Sequence, residues 1–453
     1  MAEPSSRCGC NDNGAKTPVV LQRKSAILRR ASSARGTGWG ALMRTADQQS
    51  MPARLRVALF AANYHHIPDG VALTLNRLVA FLERRGVPVL VLAPASPAPA
   101  IESVGELVPV PSLPIPRRPE YRIPLGLPPA ARARLAGFRP TLFHLVVPDL
   151  LGYRALRLSR RWGVPAVASY HTRFDTYLRF YGLGWLEGPG RRYLRHFYGG
   201  CRRVYAPSPS MVDILRAQGI GDSVRLWSRG VEHGLFAPDR RSLAWRRTQG
   251  IADDELVVTF VGRLVREKNT DLLLRIFAAL CARGIACRTM VVGDGPEGAA
   301  MRARAPATLF TGTLHGEALA RAYASSDIFV FPSESETFGN VTLEAMSAGL
   351  PTICAEASGS RCLVIENETG HLVPAGGPDR FVEAIAALAA DPGRRAGMGQ
   401  AARRRALQFD WDRILGGLLE DYAEVVAGHR QAPRQAAAAG PRHAVEATIR
   451  RAV

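Results

Sequence analysis

Residues 256–269 read Leu256-Val257-Val258-Thr259-Phe260-Val261-Gly262-Arg263-Leu264-Val265-Arg266-Glu267-Lys268-Asn269, and this stretch decides the fold. The first six residues form a short, unbroken apolar and β-branched run, as expected of a strand covered on both faces. Gly262 ends the run, cations follow at Arg263 and Lys268, and helical spacing resumes near 270–283. A strand that turns through glycine into a helix is half of a βαβ unit. Because it begins past the middle of the chain, it marks a second start of an α/β pattern.

Upstream, apolar runs at 55–61, 88–93, 141–146, 165–170 and 203–206 alternate with helical stretches near 71–85, 150–162 and 208–218. Downstream, strands are expected at 288–292, 308–311, 328–331 and 352–354. The fold class is therefore α/β, with two doubly wound Rossmann-like domains facing across a cleft. In such sheets ligands bind beyond the carboxyl ends of the strands. The connector from Arg229 to Pro238 has the Gly and Pro content of a hinge. Pro97 to Pro129 breaks the pattern, and loops with an insertion are expected there. The organisation read from these signals is a tail or non-native extension at 1–50, domains at 51–238 and 239–408, a helix at 409–427, and a tail at 428–453.

Size agrees: 453 residues exceed one ordinary core. No apolar run approaches the roughly 18 residues that mark a membrane-spanning helix. Seven scattered cysteines suit free thiols in a reducing cytoplasm. Residues 1 to about 50 are rich in Arg, Ser, Gly and Ala and read as disordered or transit-like, or Met51 is the true start. The net charge of +20 calls for a phosphate-bearing substrate, an anionic membrane surface or solvated arginine faces. No compact basic-aromatic motif points to nucleic acid.

Polar and Gly-rich residues gather at the expected strand ends. Asp69-Gly70 opens a helix after 55–61, where a glycine lets phosphate approach backbone amides. His171 and Thr172 follow 165–170; Gly262, Arg263 and Lys268 follow 256–261; Gly293-Asp294-Gly295 follows 288–292. Ser333 to Pro351 holds two carboxylates, Glu336 and Glu344, eight positions apart around the Phe338-Gly339-Asn340 turn. Carboxylates accept hydrogen bonds from sugar hydroxyls, while a helix end with free amides favours an anion, so a sugar nucleotide fits both. The bland reading is a capped surface helix bearing two solvated glutamates.

These residues carry a resemblance over roughly 55–425. Phe260 through Lys268, Val292 through Glu297, Ala322 through Asp327, and Glu336 through Pro351 with its Glu-x7-Glu spacing stand in the order found in retaining GT-B glycosyltransferases of family four. Ser169-Tyr170-His171-Thr172 and Pro207-Ser208-Pro209-Ser210 resemble lipid-directed members, including α-mannosyltransferases and sulfoquinovosyl-diacylglycerol synthases. The resemblance implies an acceptor-side first domain, a donor-binding second domain, and a last helix that crosses back to the first.

It also implies roles. Arg263 and Lys268 clamp the donor diphosphate and neutralise the leaving group. Glu344 holds the ribose, Glu336 a hydroxyl of the transferred sugar, and the Phe338, Gly339 and Asn340 amides orient that sugar. Gly70 and Gly262 border the donor, and His171 approaches sugar and acceptor. Transfer is of a hexose, mannose or glucose, from a GDP- or UDP-linked donor to a lipid or glycan hydroxyl, with retention and with neither metal nor other cofactor. Residue chemistry alone leaves Glu336 open as a covalent nucleophile. A non-catalytic basic module on the same scaffold is the competing reading.

Asp410-Trp411-Asp412 reads as a helix N-cap with acids in the first turn. Residues 170–198 are aromatic and basic, as on a helix lying on an anionic membrane or one packing on its sheet. A cytoplasmic location, peripheral on the inner face of the plasma membrane, is expected.

Overall fold

The computed structural model describes residues 55–438 except 68, 97, 116–117, 172–184 and 186, and no side chains at 118–120 or 431–438. The 1–50 segment and Thr172, Phe174, Tyr177, Phe180 and Tyr181 lie outside the described residues.

The first domain carries strands β1 (Val57–Phe60), β2 (Val89–Pro94), β3 (Glu106–Val110), β4 (Ser112–Ile115), β5 (Arg118–Pro124), β6 (Leu142–Leu145), β7 (Ala166–Ser169), β8 (Arg203–Ala206) and β9 (Val224–Leu226). All but β4 and β5 form one parallel sheet in the order β3-β2-β1-β6-β7-β8-β9, with Val57 opposite both Val89 and Leu142. The second domain carries β10 (Val257–Val261), β11 (Arg288–Val292), β12 (Leu309–Gly312), β13 (Ile328–Phe331), β14 (Thr352–Ala355) and β15 (Gly370–Val373). They pair in the order β12-β11-β10-β13-β14-β15, again parallel. Strand order thus reverses beside β1 and again beside β10, where doubly wound sheets open a crevice for ligands.

The unbroken apolar strands follow from burial on two sides. Ala58 and Phe60 enter one core while Val57 and Leu59 enter another across the sheet. Helix α1 (Gly70–Arg84) covers β1 with Ala72, Leu75, Leu78, Val79 and Leu82, at the 3- and 4-residue spacing of a helical stripe. Asp69 caps it, accepting from the Val71 and Ala72 amides at 3.0 and 2.9 Å.

Helix α2 (Pro209–Ala217) follows β8, and α3 (Asn340–Ser347) follows β13. The last helix, α4 (Trp411–Ala438), returns to the first domain. Its Trp411, Leu415, Leu418, Tyr422 and Val425 join the core that contains β1. It runs past Gly428, where the sequence reads as the start of a tail.

One expectation is corrected. The proline-rich 97–129 segment is not only loop: β3 extends the main sheet, and β4 and β5 form a separate antiparallel hairpin. Pro109 is tolerated because β3 is an edge strand, and Pro114 because the hairpin is two-stranded. Strand β9 has only three residues with Arg225 at its centre, and β15 opens with Gly370-His371, so neither stands out as an apolar run.

Candidate active site

The donor half begins where β10 meets β11. Gly262 and Gly293 adopt positive φ, and their loops lie so close that a Cβ on Gly293 would fall 2.0 Å from the Gly262 carbonyl. A larger residue there would push the two loops apart. The Leu264 amide donates to the Asp294 carbonyl at 3.0 Å, which fixes the start of the Arg263–Lys268 segment.

Lys268 and Glu336 meet directly in an ion pair, their side chains 21% and 14% exposed. Glu336 reaches this position through its main chain: its carbonyl accepts from the Gly359 amide at 2.9 Å and the Ser358 hydroxyl at 2.8 Å. Beyond it, Gly339 takes a left-handed conformation and α3 starts with no side-chain cap. An uncapped helix N-terminus of this kind favours a negatively charged group. The Asn340 side chain faces the other domain closely enough that a Cβ on Gly70 would lie 2.7 Å from its Nδ2. The N-termini of α1 and α3 therefore converge from opposite sides of the cleft.

Arg263 reaches across the same cleft. Its guanidinium donates to the Tyr121 hydroxyl at 2.8 Å, and Arg263 is close enough to Asp69 to favour that buried carboxylate's charge. Burial nonetheless raises the Asp69 pKa. Tyr121 lies on β5, hidden from sequence reading by the prolines around it.

Further bridges stand beside Glu336. The Ser208 hydroxyl donates to the Thr337 carbonyl at 2.8 Å, and the Ser210 hydroxyl to the Ser358 carbonyl at 2.6 Å. The Thr337 hydroxyl donates to the His171 carbonyl at 3.3 Å. The Pro-Ser-Pro-Ser motif is thus a strut between the domains at the opening of α2.

Glu344 sits one turn into α3. Burial pushes its carboxyl up to about 7, against a hydrogen bond from the Tyr323 hydroxyl at 3.1 Å and the charge of Arg77. An ionised carboxylate accepts from two adjacent hydroxyls, one on each oxygen, whereas protonation turns one of those oxygens into a donor. Donor affinity is therefore expected to rise between pH 6 and 8 as Glu344 loses its proton, and Glu344→Gln to flatten that rise. Calorimetry across this range checks it; an unchanged slope in the variant would count against ribose binding.

His171 is placed at the domain junction, but both ring nitrogens are already engaged. Nδ1 lies 2.7 Å from Arg229 Nη2 and Nε2 2.7 Å from Ser169 Oγ. The two aspartates of Asp410-Trp411-Asp412 are also occupied: Asp410 caps α4 through the Arg413 amide at 2.8 Å, and Asp412 pairs with Arg84 at 3.2 Å.

Two facing doubly wound domains, with cations after β10 and a glutamate-flanked helix N-terminus after β13 on either side of one switch point, define a nucleotide-sugar transferase of the GT-B type. Profiles described as Glycosyl transferases group 1 and Glycosyltransferase Family 4 match residues 242–405 and 68–235. The chain is 38% identical to a GDP-mannose-dependent alpha-mannosyltransferase of Mycobacterium tuberculosis, over 83% of this chain and 98% of that protein. It is 32% identical to a sulfoquinovosyl transferase of Arabidopsis thaliana, over 81% and 72%. Among solved structures, sucrose-phosphate synthase from Thermosynechococcus elongatus superposes with a TM-score of 0.71 at 23% identity, covering 83% of this chain and all of that one. This chain belongs to the family-four glycosyltransferases.

Proposed function

We propose that this glycosyltransferase moves mannose from GDP-mannose to a hydroxyl of a lipid or glycan, with retention of configuration and without a metal ion. The observation that carries the reading is the convergence of Arg263, the Lys268–Glu336 pair and the uncapped N-terminus of α3 on one cleft. The choice of donor rests on the relatives named as GDP-mannose-dependent.

The diphosphate would lie against α3 and Gly70, its charge met by Arg263 and Lys268. As the bond from the sugar's anomeric carbon to the phosphate oxygen breaks, negative charge grows on that oxygen, and two preplaced cations stabilise it. The acceptor oxygen attacks from the same face, and its proton passes to the departing phosphate. Glu336 is released from Lys268 by the arriving phosphate and accepts from a sugar hydroxyl. These two cations take over the neutralising task that a divalent ion performs elsewhere, and Asp410 and Asp412 are committed to α4 and Arg84.

The purified chain with GDP-mannose is expected to release GDP, faster with a lipid acceptor present and equally fast in chelator. Release from UDP-glucose alone would overturn the donor, and strict Mn²⁺ dependence would overturn the metal-free mechanism.

We also propose peripheral contact with an anionic membrane on the cytoplasmic inner face, in a narrower form than the aromatic stretch suggested. Tyr170, Phe197 and Tyr198 are core residues and Tyr193 packs on Tyr153 with its hydroxyl donating to the Pro148 carbonyl at 2.9 Å, whereas Trp185 is 76% exposed and Arg191, Arg192 and Arg195 are exposed nearby in sequence. An outward aromatic amid arginines suits a headgroup layer. Among the described residues no helix is long and apolar enough to cross a membrane. Salt-sensitive sedimentation with phosphatidylserine vesicles is expected, and no binding at low salt would remove this contact.

A further inference from the structure

Behind His171 lies a buried chain of polar groups from four separate segments. It joins Arg229 of the linker, His171 after β7, Ser169 of β7, His144 of β6 and Tyr422 of α4. Arg229, Ser169, His144 and Tyr422 are all at most 5% exposed.

Their protons have one consistent arrangement. A guanidinium only donates, so Arg229 makes His171 Nδ1 an acceptor. The neutral ring then carries its proton on Nε2 and donates to Ser169 Oγ. Ser169, with a single proton, donates to His144 Nε2 at 3.0 Å. His144 is left with its proton on Nδ1, facing the Tyr422 hydroxyl at 2.5 Å. Trp227 braces the set: its ring packs edge-on against His171 and His144 at 5.7 and 5.8 Å, and the Arg229 guanidinium lies over it at 4.7 Å.

We propose that Arg229 is a positioning residue that locks His171 as the Nε2–H tautomer through this directed hydrogen-bond chain, leaving neither ring nitrogen to take a proton from the acceptor. His171 then serves the site by its shape and its main chain, with the linker touching its ring directly and α4 reaching it only through His144 and Ser169. The charged and titratable groups facing His171 support a neutral ring. Arg229 stands on the linker side and His144 on the β6 side, with Tyr422 and the Tyr205–Asp421 pair behind them. From the second domain, Thr337 touches only the His171 carbonyl. Burial, the Arg229 charge and then His144 hold the His171 pKa well below its usual value.

The kinetic arm of the test rests on the glycosyl-transfer reading; the spectroscopic arm does not. In full-length protein with ¹⁵N- and ¹³C-labelled histidine, His171, assigned by its loss in His171→Gln, is expected to show a protonated Nε2 and a bare Nδ1 at pH 7.5. A protonated Nδ1, or a mixture of tautomers, would overturn the proposal. Arg229→Met removes donor and charge while Arg229→Lys keeps both. Losing the cation removes one of the three causes that lower the His171 pKa, so the ring protonates more readily in acid although burial and His144 still oppose it. GDP release from GDP-mannose by Arg229→Met is therefore expected to fall further than the parent's between pH 7.5 and 5.5, with Arg229→Lys following the parent. Superimposable profiles for Arg229→Met and the parent would sink the lock. Absence of release from the parent protein would instead count against the donor assignment and leave the tautomer measurement decisive.

Discussion

Glu336→Ala is expected to lower kcat by about 10²–10³-fold, the scale on which one preorganised polar contact to a transition state acts. The geometry makes this a change at the site rather than in the fold. Glu336 is held by its carbonyl, through Gly359 and Ser358, and that anchoring survives truncation of the side chain. Its carboxylate meets Lys268 at a partly exposed position, so the unpaired lysine regains water and the cost in stability stays small. The two roles left open for Glu336 predict different remainders. A hydroxyl ligand should let Glu336→Gln recover part of the rate, since an amide still accepts one hydrogen bond. A nucleophile should not, and the glycosylated enzyme should then accumulate with a poor acceptor. Steady-state kinetics and intact-protein mass spectrometry separate the two. Near-parental turnover in Glu336→Ala, with the fold intact, would remove Glu336 from the chemistry.

Removing either cation is the second large effect. Lys268→Ala and Arg263→Ala are each expected to lower kcat/KM by about 10²–10³-fold, because in the mechanism we propose the charge on the leaving phosphate is then left uncompensated. They should differ in kind. Lys268 and Glu336 share one ion pair, so Lys268→Ala also frees Glu336, and the double variant with Glu336→Ala is expected to lose far less than the product of the single losses. Arg263 is braced from the other domain by Tyr121, so Tyr121→Phe should raise the donor KM modestly while leaving kcat nearly unchanged. Additive losses for the Lys268 and Glu336 pair would show that they act independently, contrary to their contact.

The strands and the residues at their ends were legible because each signal is local. Leu256–Val261 reads as a buried strand from its own composition, and Gly262 marks its end whatever packs against it. The same holds for Asp69-Gly70, whose capping chemistry lies within three residues. Segments 106–110 and 118–124 were not legible because proline argues against strands unless the edge position is already known. Tyr121 and the strut from Ser208 to Thr337 were missed for a related reason. Contacts spanning 129 to 142 residues of chain leave no local pattern.

What the sequence determined by itself is the alternation of buried strands and helices, the glycine-marked strand ends, and the presence of two carboxylates and two cations at those ends. Those follow from periodicities and turn chemistry that act over a few residues. Only the tertiary structure decided that Lys268 holds Glu336, that both His171 nitrogens are engaged, and that α4 closes the first domain's core with Tyr422 on His144. Apart from Ser169 on His171, each is a contact between segments far apart in sequence, and distance across a fold is set by packing, which no single stretch of chain encodes.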